Sequence, residues 1–166
     1  MQNSQDIVKN LNFGIDAQSK VFTGITKLTQ AVSSTLGASG KCVILEDFMG
    51  RPMITKDGVT VANSVNLHDP VENIGATLIK EAARKTVSEA GDGTTTATVL
   101  AHSILEQAKG YESSLRDIKN DINKSYEKTV EYLDKVSIPV EGDMIDQVAT
   151  ISSNNDTELG SIIGEA

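Results

Sequence analysis

Apolar residues recur at intervals of three and four along most of this 166-residue chain. That spacing puts them on one face of a helix, whereas a half-buried strand alternates with a period of two. The chain is therefore restricted to a mainly α fold. The segment Asp69-Pro70-Val71-Glu72 adds a strong helix start, because Asp caps free amides and Pro suits the first turn. We predict helices over residues 16–34, 69–91, 94–109 and 114–135, a short one near 144–148, and a last one capped by Asn155 or Asp156.

One segment between the first two helices has the composition of strands. Residues 41–46 are rich in branched apolar side chains, and residues 53–55 repeat the pattern after turn residues at 47–52. A further turn is predicted at Asp57-Gly58. These signals together predict a small β-hairpin over residues 41–55.

Charge and composition exclude two classes of partner. Fifteen basic and 23 acidic residues give a net charge of −8, whereas nucleic-acid binding needs a clustered positive surface. No apolar run approaches the roughly 20 residues that span a bilayer, and the first ten residues carry no secretion signal. We therefore predict a cytoplasmic protein with neither nucleic acid nor membrane as a partner.

The cysteine and histidine residues predict neither a disulfide nor a metal site. Cys42 is the single cysteine, so it cannot form an internal disulfide, and with His68 and His102 it makes no metal-ligand pattern. Because Cys42 lies in an apolar run, we predict that it is a buried strand thiol.

Three glycine-rich loops remain as candidates for chemistry, at residues 35–40, 55–58 and 91–96. In the third, glycines on both sides of Asp92 allow a close approach of the backbone to a ligand, and three threonines open the next helix. Free amides and the positive end of the helix dipole make this an anion site. Asp92 would repel phosphate unless Mg²⁺ lay between them. The alternative is that Asp92 or Thr94 simply caps the helix.

The other two loops are less specific. Gly40-Lys41 match the end of a Walker phosphate loop, but Thr35 replaces its first glycine and Cys42 its Ser or Thr, so the first loop is not of that type. A helix C-cap followed by a turn is the alternative there. In the second loop, Lys56 could counter phosphate charge and Asp57 could orient or deprotonate a water.

The order and exact residues of these loops closely resemble those of the GroEL-type (group I) chaperonins. The matching strings are TLGASGK, MITKDGVTVA and AGDGTTTATVLA, and FGIDAQ, ENIGATLIKEAA and VATISSNNDTELG also match in order. The resemblance covers essentially the whole chain.

The resemblance implies an ATP-driven machine whose subunits form a heptameric ring around a cavity where non-native polypeptides fold. Residues 1–137 would be the N-terminal part of the helical equatorial domain, which binds nucleotide and contacts neighbouring subunits. Residues 138–166 would begin the intermediate domain. The implied partners are unfolded polypeptide clients, neighbouring subunits that pair with the 41–55 hairpin, and a GroES-type co-chaperonin.

The resemblance also assigns roles to residues, with ATP, Mg²⁺ and K⁺ as cofactors. Asp92 matches the Mg²⁺-binding carboxylate, and Asp57 matches the catalytic carboxylate that assists the attacking water. Lys56 matches a residue at the phosphate and monovalent-cation site, with Thr35 beside it. The positions that match phosphate contacts are Thr35, Leu36, Gly37, Ala38, Gly93, Thr94, Thr95 and Thr96.

Two departures from the family shape the expectations. Family members usually read TLGPKG where this chain has TLGASG, so Ala38 and Ser39 remove a fixed turn and a positive charge, which predicts weaker nucleotide affinity. The last helix reaches Ala166 without a stop signal, so we expect a piece of a longer protein with little or no ATPase activity by itself. The alternative is a short, non-catalytic module that joins chaperonin subunits.

Overall fold

The computed structural model describes residues 11–37, 39–47, 49–153 and 155–166, and it confirms the mainly α fold with one small hairpin. Ala38, a predicted phosphate contact, lies outside the described residues. The elements are α1 (Gly14–Ser33), β1 (Val43–Glu46), β2 (Pro52–Thr55), α2 (Gly58–Ser64), α3 (Pro70–Ala90), α4 (Thr94–Lys109), α5 (Leu115–Val136), α6 (Asp143–Ser152) and α7 (Thr157–Glu165).

The chain packs as two compact units that divide between Tyr111 and Glu112. The division reflects packing within the chain. The domain boundary between residues 137 and 138, which rests on the family resemblance, stays a prediction.

The core of the first unit lies where α1, α2 and α3 meet. Leu28 and Val32 of α1 and Val61 of α2 are fully buried. Because the apolar stripe of each helix faces the other two, burial of these side chains holds the unit together. The buried cluster consists of Ile25, Leu28, Val32, Val61, Ala62, Ala76 and Ile79.

Helices α1 and α3 cross in direct backbone contact. A Cβ atom on Gly24 would overlap the carbonyl oxygen of Glu72, so the crossing requires glycine at this point. Two ion pairs flank the crossing, from Lys27 Nζ to Glu72 Oε2 (2.6 Å) and from Lys20 Nζ to Asp69 Oδ2 (2.7 Å). Asp69 also caps α3 as predicted, since it accepts the amides of Val71 and Glu72.

The predicted hairpin is confirmed, with β1 and β2 antiparallel and Ile44 opposite Ile54. The prediction for Cys42 is wrong, because this residue precedes β1 and its side chain is exposed. Only alternate residues of β1 are even half-buried, so this short two-stranded sheet covers one face and leaves the other in solvent.

The turn predicted at Asp57-Gly58 is instead the start of α2. Asp57 is the N-cap, and its carboxylate accepts the amides of Val59 and Thr60. The β-branched residues that follow favour a strand, so the local sequence does not predict this helix. Burial of Val61 and Ala62 against α1 outweighs that local preference.

The described residues of the second unit form α5, α6 and α7, of which α6 and α7 pack against each other. Ser114 caps α5 by accepting the Asp117 amide, and Asp156 caps α7 by accepting the Leu159 amide. Helix α5 has no buried residue. Over the ranges given above, none of the helices has the length and apolar character needed to cross a membrane.

Candidate functional site

Two of the glycine-rich loops, at residues 55–58 and 91–96, meet in the first unit, and the end of α1 that leads into the other loop lies beside them. A Cβ atom on Gly58, the first residue of α2, would overlap Oγ1 of Thr95 in the first turn of α4 and would lie 3.5 Å from Cγ1 of Val32 near the end of α1. The start of α2 is thus enclosed by the end of one helix and the start of another. Only glycine fits there.

Chain connectivity places the other predicted site residues near this contact. Lys56 is two residues from Gly58, Thr35 is three from Val32, and Asp92 is three from Thr95. Since consecutive Cα atoms are about 3.8 Å apart, these residues lie within roughly 12 Å of their partner in the contact. Leu36, Gly37 and Thr96 follow at the same loops and are exposed.

The first loop closes on itself through backbone hydrogen bonds. The Lys41 amide donates to the Ser34 carbonyl (2.8 Å), and the Gly40 amide donates to the Gly37 carbonyl (2.9 Å). Gly37 has a φ of 74°, the left-handed conformation expected after a helix. The Thr35 hydroxyl donates to the Val32 carbonyl (2.8 Å), which leaves its oxygen lone pairs available to a cation.

In the second loop, Asp57 is held rigidly by three donors. Its Oδ2 accepts the amide (2.8 Å) and hydroxyl (2.5 Å) of Thr60, and its Oδ1 accepts the Val59 amide (3.1 Å). Burial opposes ionisation, but the hydrogen bonds from Thr60 and Val59 outweigh it and hold the pKa of Asp57 below its ordinary value. The carboxylate is therefore ionised and fixed. Lys56 is exposed, and it pairs with none of the carboxylates in the described ranges.

The third loop leaves the start of α4 without a side-chain cap. Gly93 is the N-cap residue, with φ of 94°, and none of the described side chains accepts an amide of this first turn. Asp92 is exposed and accepts the Gly93 amide (2.6 Å), one residue too early to serve as a cap. The alternative that Asp92 or Thr94 caps this helix is therefore wrong.

The Thr94 side chain is a buried polar group at the site. Thr94 is only 5% exposed, and its Oγ1 has no hydrogen-bond partner within the part of the chain that the structure describes. An unpaired buried hydroxyl costs about 1–3 kcal/mol. Such a group is unusual unless a water or ligand completes it.

These features fit a phosphate group that is bridged to Mg²⁺. An uncapped helix start offers free amides and a positive dipole end to the anion. Asp92 supplies one carboxylate, and the described residues contain no cluster of three metal-binding side chains. Mg²⁺ suits such a site, because it uses one or two carboxylates and completes its shell with phosphate oxygens and water.

Sequence reasoning missed a second set of polar residues behind the third loop. Lys80 and Arg84 of α3 line a cavity of about 90 Å³ together with Asn63 of α2 and Thr94. The signal was present, because Lys80 occupies a position in the apolar stripe that contains Ala76, Ile79 and Ala83, all of which are buried. A lysine on the buried face of a helix indicates a specific partner.

Comparison with known proteins finds matches among the chaperonins. The sequence profile of the TCP-1/cpn60 chaperonin family matches residues 28–166. Among solved structures, the chaperonin gp146 from bacteriophage EL 2 (Pseudomonas aeruginosa), crystallised in the presence of ATP-BeFx, is 33% identical with a TM-score of 0.81. This match covers 92% of the present chain and 28% of gp146. A second crystal form of gp146 matches with 32% identity and a TM-score of 0.80.

A more distant relative has the same fold. A group III chaperonin in the open state is 26% identical with a TM-score of 0.74, over 91% of the present chain and 31% of that protein. The present chain thus spans less than a third of each of these relatives.

Proposed function

Because this chain belongs to the TCP-1/cpn60 chaperonin family, we propose that it forms the Mg-ATP-binding part of an ATP-dependent protein-folding chaperonin. The observation that carries the proposal is the contact of Gly58 with Thr95 beside the uncapped start of α4. This contact joins loops that are far apart in sequence. The crystallisation of gp146 with ATP-BeFx supports nucleotide as the ligand.

The residues at the site divide the work by their chemistry. Asp92 would hold Mg²⁺, which when bound neutralises charge on the phosphates. The amides and hydroxyls of Thr94, Thr95 and Thr96 would bind phosphate oxygens at the start of α4. Lys56 would add positive charge, and the Thr35 hydroxyl would contribute an oxygen to K⁺ near the phosphates.

Asp57 is the catalytic residue of the proposal. A carboxylate with a lowered pKa is a weak base, so Asp57 is better suited to orient the attacking water than to remove its proton. Its hydrogen bonds with Thr60 and Val59 fix the direction in which it accepts. Hydrolysis of ATP would be a property of the whole subunit, of which this chain supplies one part.

We propose the wider assembly by analogy with the family. We assign residues 1–137 to the equatorial domain and residues 138–166 to the start of the intermediate domain. Complete subunits would form a ring in the cytoplasm, enclose unfolded polypeptides and work with a GroES-type co-chaperonin.

The exposed hairpin favours a second candidate function, a non-catalytic module that joins chaperonin subunits. Ile44 and Ile54 are paired across the sheet and are 72% and 68% exposed. Among the described residues, each strand of this two-stranded sheet also keeps one edge unpaired, which could pair with another chain. Such a module would bind chaperonin subunits without any need for nucleotide.

Calorimetric titration with ATP in the presence and absence of Mg²⁺ separates the two functions. The first function predicts Mg²⁺-dependent binding that is lost in Asp92→Ala and retained in the matched variant Asp134→Ala, whose carboxylate is exposed on α5. Because Asp92 caps no helix, its removal should leave the melting temperature without nucleotide unchanged. Absence of binding by the unmodified chain, with capture of chaperonin subunits intact, would favour the second function.

A further inference from the structure

Helix α2 is too short to hold its own position. It has seven residues, Gly58–Ser64, and helices of that length are marginal without tertiary contacts. Val61 and Ala62 pack into the core beside α1. Val59, Ala62 and Asn63 of α2 also border the cavity of about 90 Å³ between α2 and α3, so van der Waals contact between these two helices is reduced there.

Two polar bonds from α3 reach across this gap to the end of α2. Lys80 Nζ donates to the carbonyl oxygen of Val65, the C-cap residue. Arg84 Nη2 donates to Asn63 Oδ1 (2.7 Å) in the last turn. Cations at a helix C-terminus also interact favourably with its dipole and its free carbonyls.

Lys80 is buried, and its ammonium group donates to the Val65 carbonyl. It is 7% exposed and forms no ion pair with any described residue. Burial lowers its pKa, and the nearby charge of Arg84 lowers it further. Burying an ammonium group without a partner is costly. The end of α2 must therefore lie where the Val65 carbonyl can accept the hydrogen bond from Lys80.

We infer that Lys80 and Arg84 are positioning residues, which hold the far end of α2 so that Gly58, the first residue of this helix, stays against Thr95 and Val32. We call Lys80 and Arg84, with their bonds to Val65 and Asn63, the clamp. Helix α2 is the rigid link between the clamp and the candidate site. The inference rests on the proposed nucleotide-binding function for its effect on ligand affinity, but the clamp itself can be measured without nucleotide.

The test compares Lys80→Met, Lys80→Arg and Arg84→Gln with the unmodified chain. Lys80→Met keeps the length of the side chain and removes its donor. Lys80→Arg restores the charge and the donor, and the adjoining cavity has room for the larger group. Arg84→Gln provides a milder variant, because Arg84 is exposed and its replacement leaves the core intact. Val71→Ala, in the first turn of α3, is the control for a loss of stability away from the clamp.

Two readouts are taken at the same interval below each variant's melting temperature. Amide hydrogen exchange of Val61, which donates to the Asp57 carbonyl (3.0 Å), should quicken about ten-fold in Lys80→Met, the factor expected for one lost bond to a charged donor. The Kd for Mg-ATP should rise by a similar factor. Lys80→Arg should recover both, and Arg84→Gln should show a smaller change in the same direction.

The clamp is overturned if Lys80→Met changes neither quantity more than Val71→Ala does, or if Lys80→Arg fails to recover either one. If the unmodified chain binds no Mg-ATP, the proposed function fails. In that case the exchange of the Val61 amide still decides whether Lys80 positions α2.

Discussion

Gly58 lies against Thr95 so closely that a Cβ atom at position 58 would overlap the threonine Oγ1. The two residues lie in the first turns of different helices, α2 and α4, and are 37 positions apart in the chain (95 − 58). Their contact therefore fixes the distance between the loop with Asp57 and the loop with Asp92. Any change that separates Gly58 from Thr95 should act on both loops at once.

Replacement of Gly58 by alanine should destabilise the first unit, although alanine is the better helix former. Overpacking at a fixed contact costs about 1–3 kcal/mol, which exceeds the roughly 1 kcal/mol that alanine gains over glycine in a helix. Chemical denaturation measures the difference. Gly110→Ala is the control, since a Cβ there would lie at an ordinary 3.6 Å from the Gln107 carbonyl oxygen.

A double variant tests whether Thr95 is the cause of that loss. Gly58→Ala combined with Thr95→Ala removes the overlapping Oγ1, so the pair should be less destabilised than the sum of the single variants. Strict additivity of the two free-energy changes would show that the residues do not touch.

The hydrogen bonds to Asp57 predict a specific dependence of stability on pH. Because they hold the pKa of the folded-state carboxyl below its unfolded value, ionised Asp57 stabilises the fold at neutral pH. That contribution is lost as the pH falls below about 4, where the unfolded chain takes up the proton first.

Two variants, Asp57→Ala and Asp57→Asn, separate the stability due to the charge of Asp57 from the stability due to its capping of α2. Asp57→Ala should cost about 1 kcal/mol near neutral pH, as loss of an N-cap does, and the cost should shrink on acidification. Asp57→Asn keeps a capping oxygen but cannot titrate, so its stability should fall less steeply with acid than that of the unmodified chain. Parallel acid profiles for all three proteins would contradict the assigned hydrogen bonds.

Two threonines of α4, one helical turn apart, should respond oppositely to replacement by valine. The buried Thr94 hydroxyl has no partner among the described residues, so Thr94→Val should stabilise the nucleotide-free chain by up to about 1 kcal/mol. The Thr98 hydroxyl is also buried but donates to the Thr94 carbonyl (2.8 Å). Thr98→Val should therefore destabilise the chain by about 1 kcal/mol.

Melting temperatures without nucleotide check this pair, and Mg-ATP titration adds a second readout for Thr94. If its hydroxyl serves the ligand, Thr94→Val should weaken nucleotide binding while it raises the melting temperature. A lower melting temperature for Thr94→Val would show that the hydroxyl is paired in solution.

The long helices and their caps could be predicted from local signals alone. Asp69 caps α3 as predicted, and Ser114 caps α5 at the residue where the predicted helix begins, because a cap acts within its own turn. Helix α2 could not be predicted in this way. Its β-branched residues favour a strand, and only the burial of Val61 by distant parts of the chain makes it helical.

The residues of the candidate site could be predicted from the sequence, but the contact that brings their loops together could not. The composition of the third loop indicated an anion site, and resemblance to a family supplied the remaining positions. No local pattern, however, could reveal that Gly58 touches Thr95, because contacts between distant segments depend on how whole helices pack. The position of Lys80 in an apolar stripe marks it in the sequence, but its partner, the Val65 carbonyl, is a backbone group that no sequence pattern marks.

Amide chemical-shift mapping with Mg-ATP on the isotope-labelled chain is the strongest test of a single nucleotide site. The amides of residues 35–37, 56–58 and 92–96 should shift together, with one apparent affinity, and Asp92→Ala should weaken all three sets of shifts. Shifts confined to one loop, or shifts in the three loops with unrelated affinities, would contradict a single nucleotide site built from their convergence.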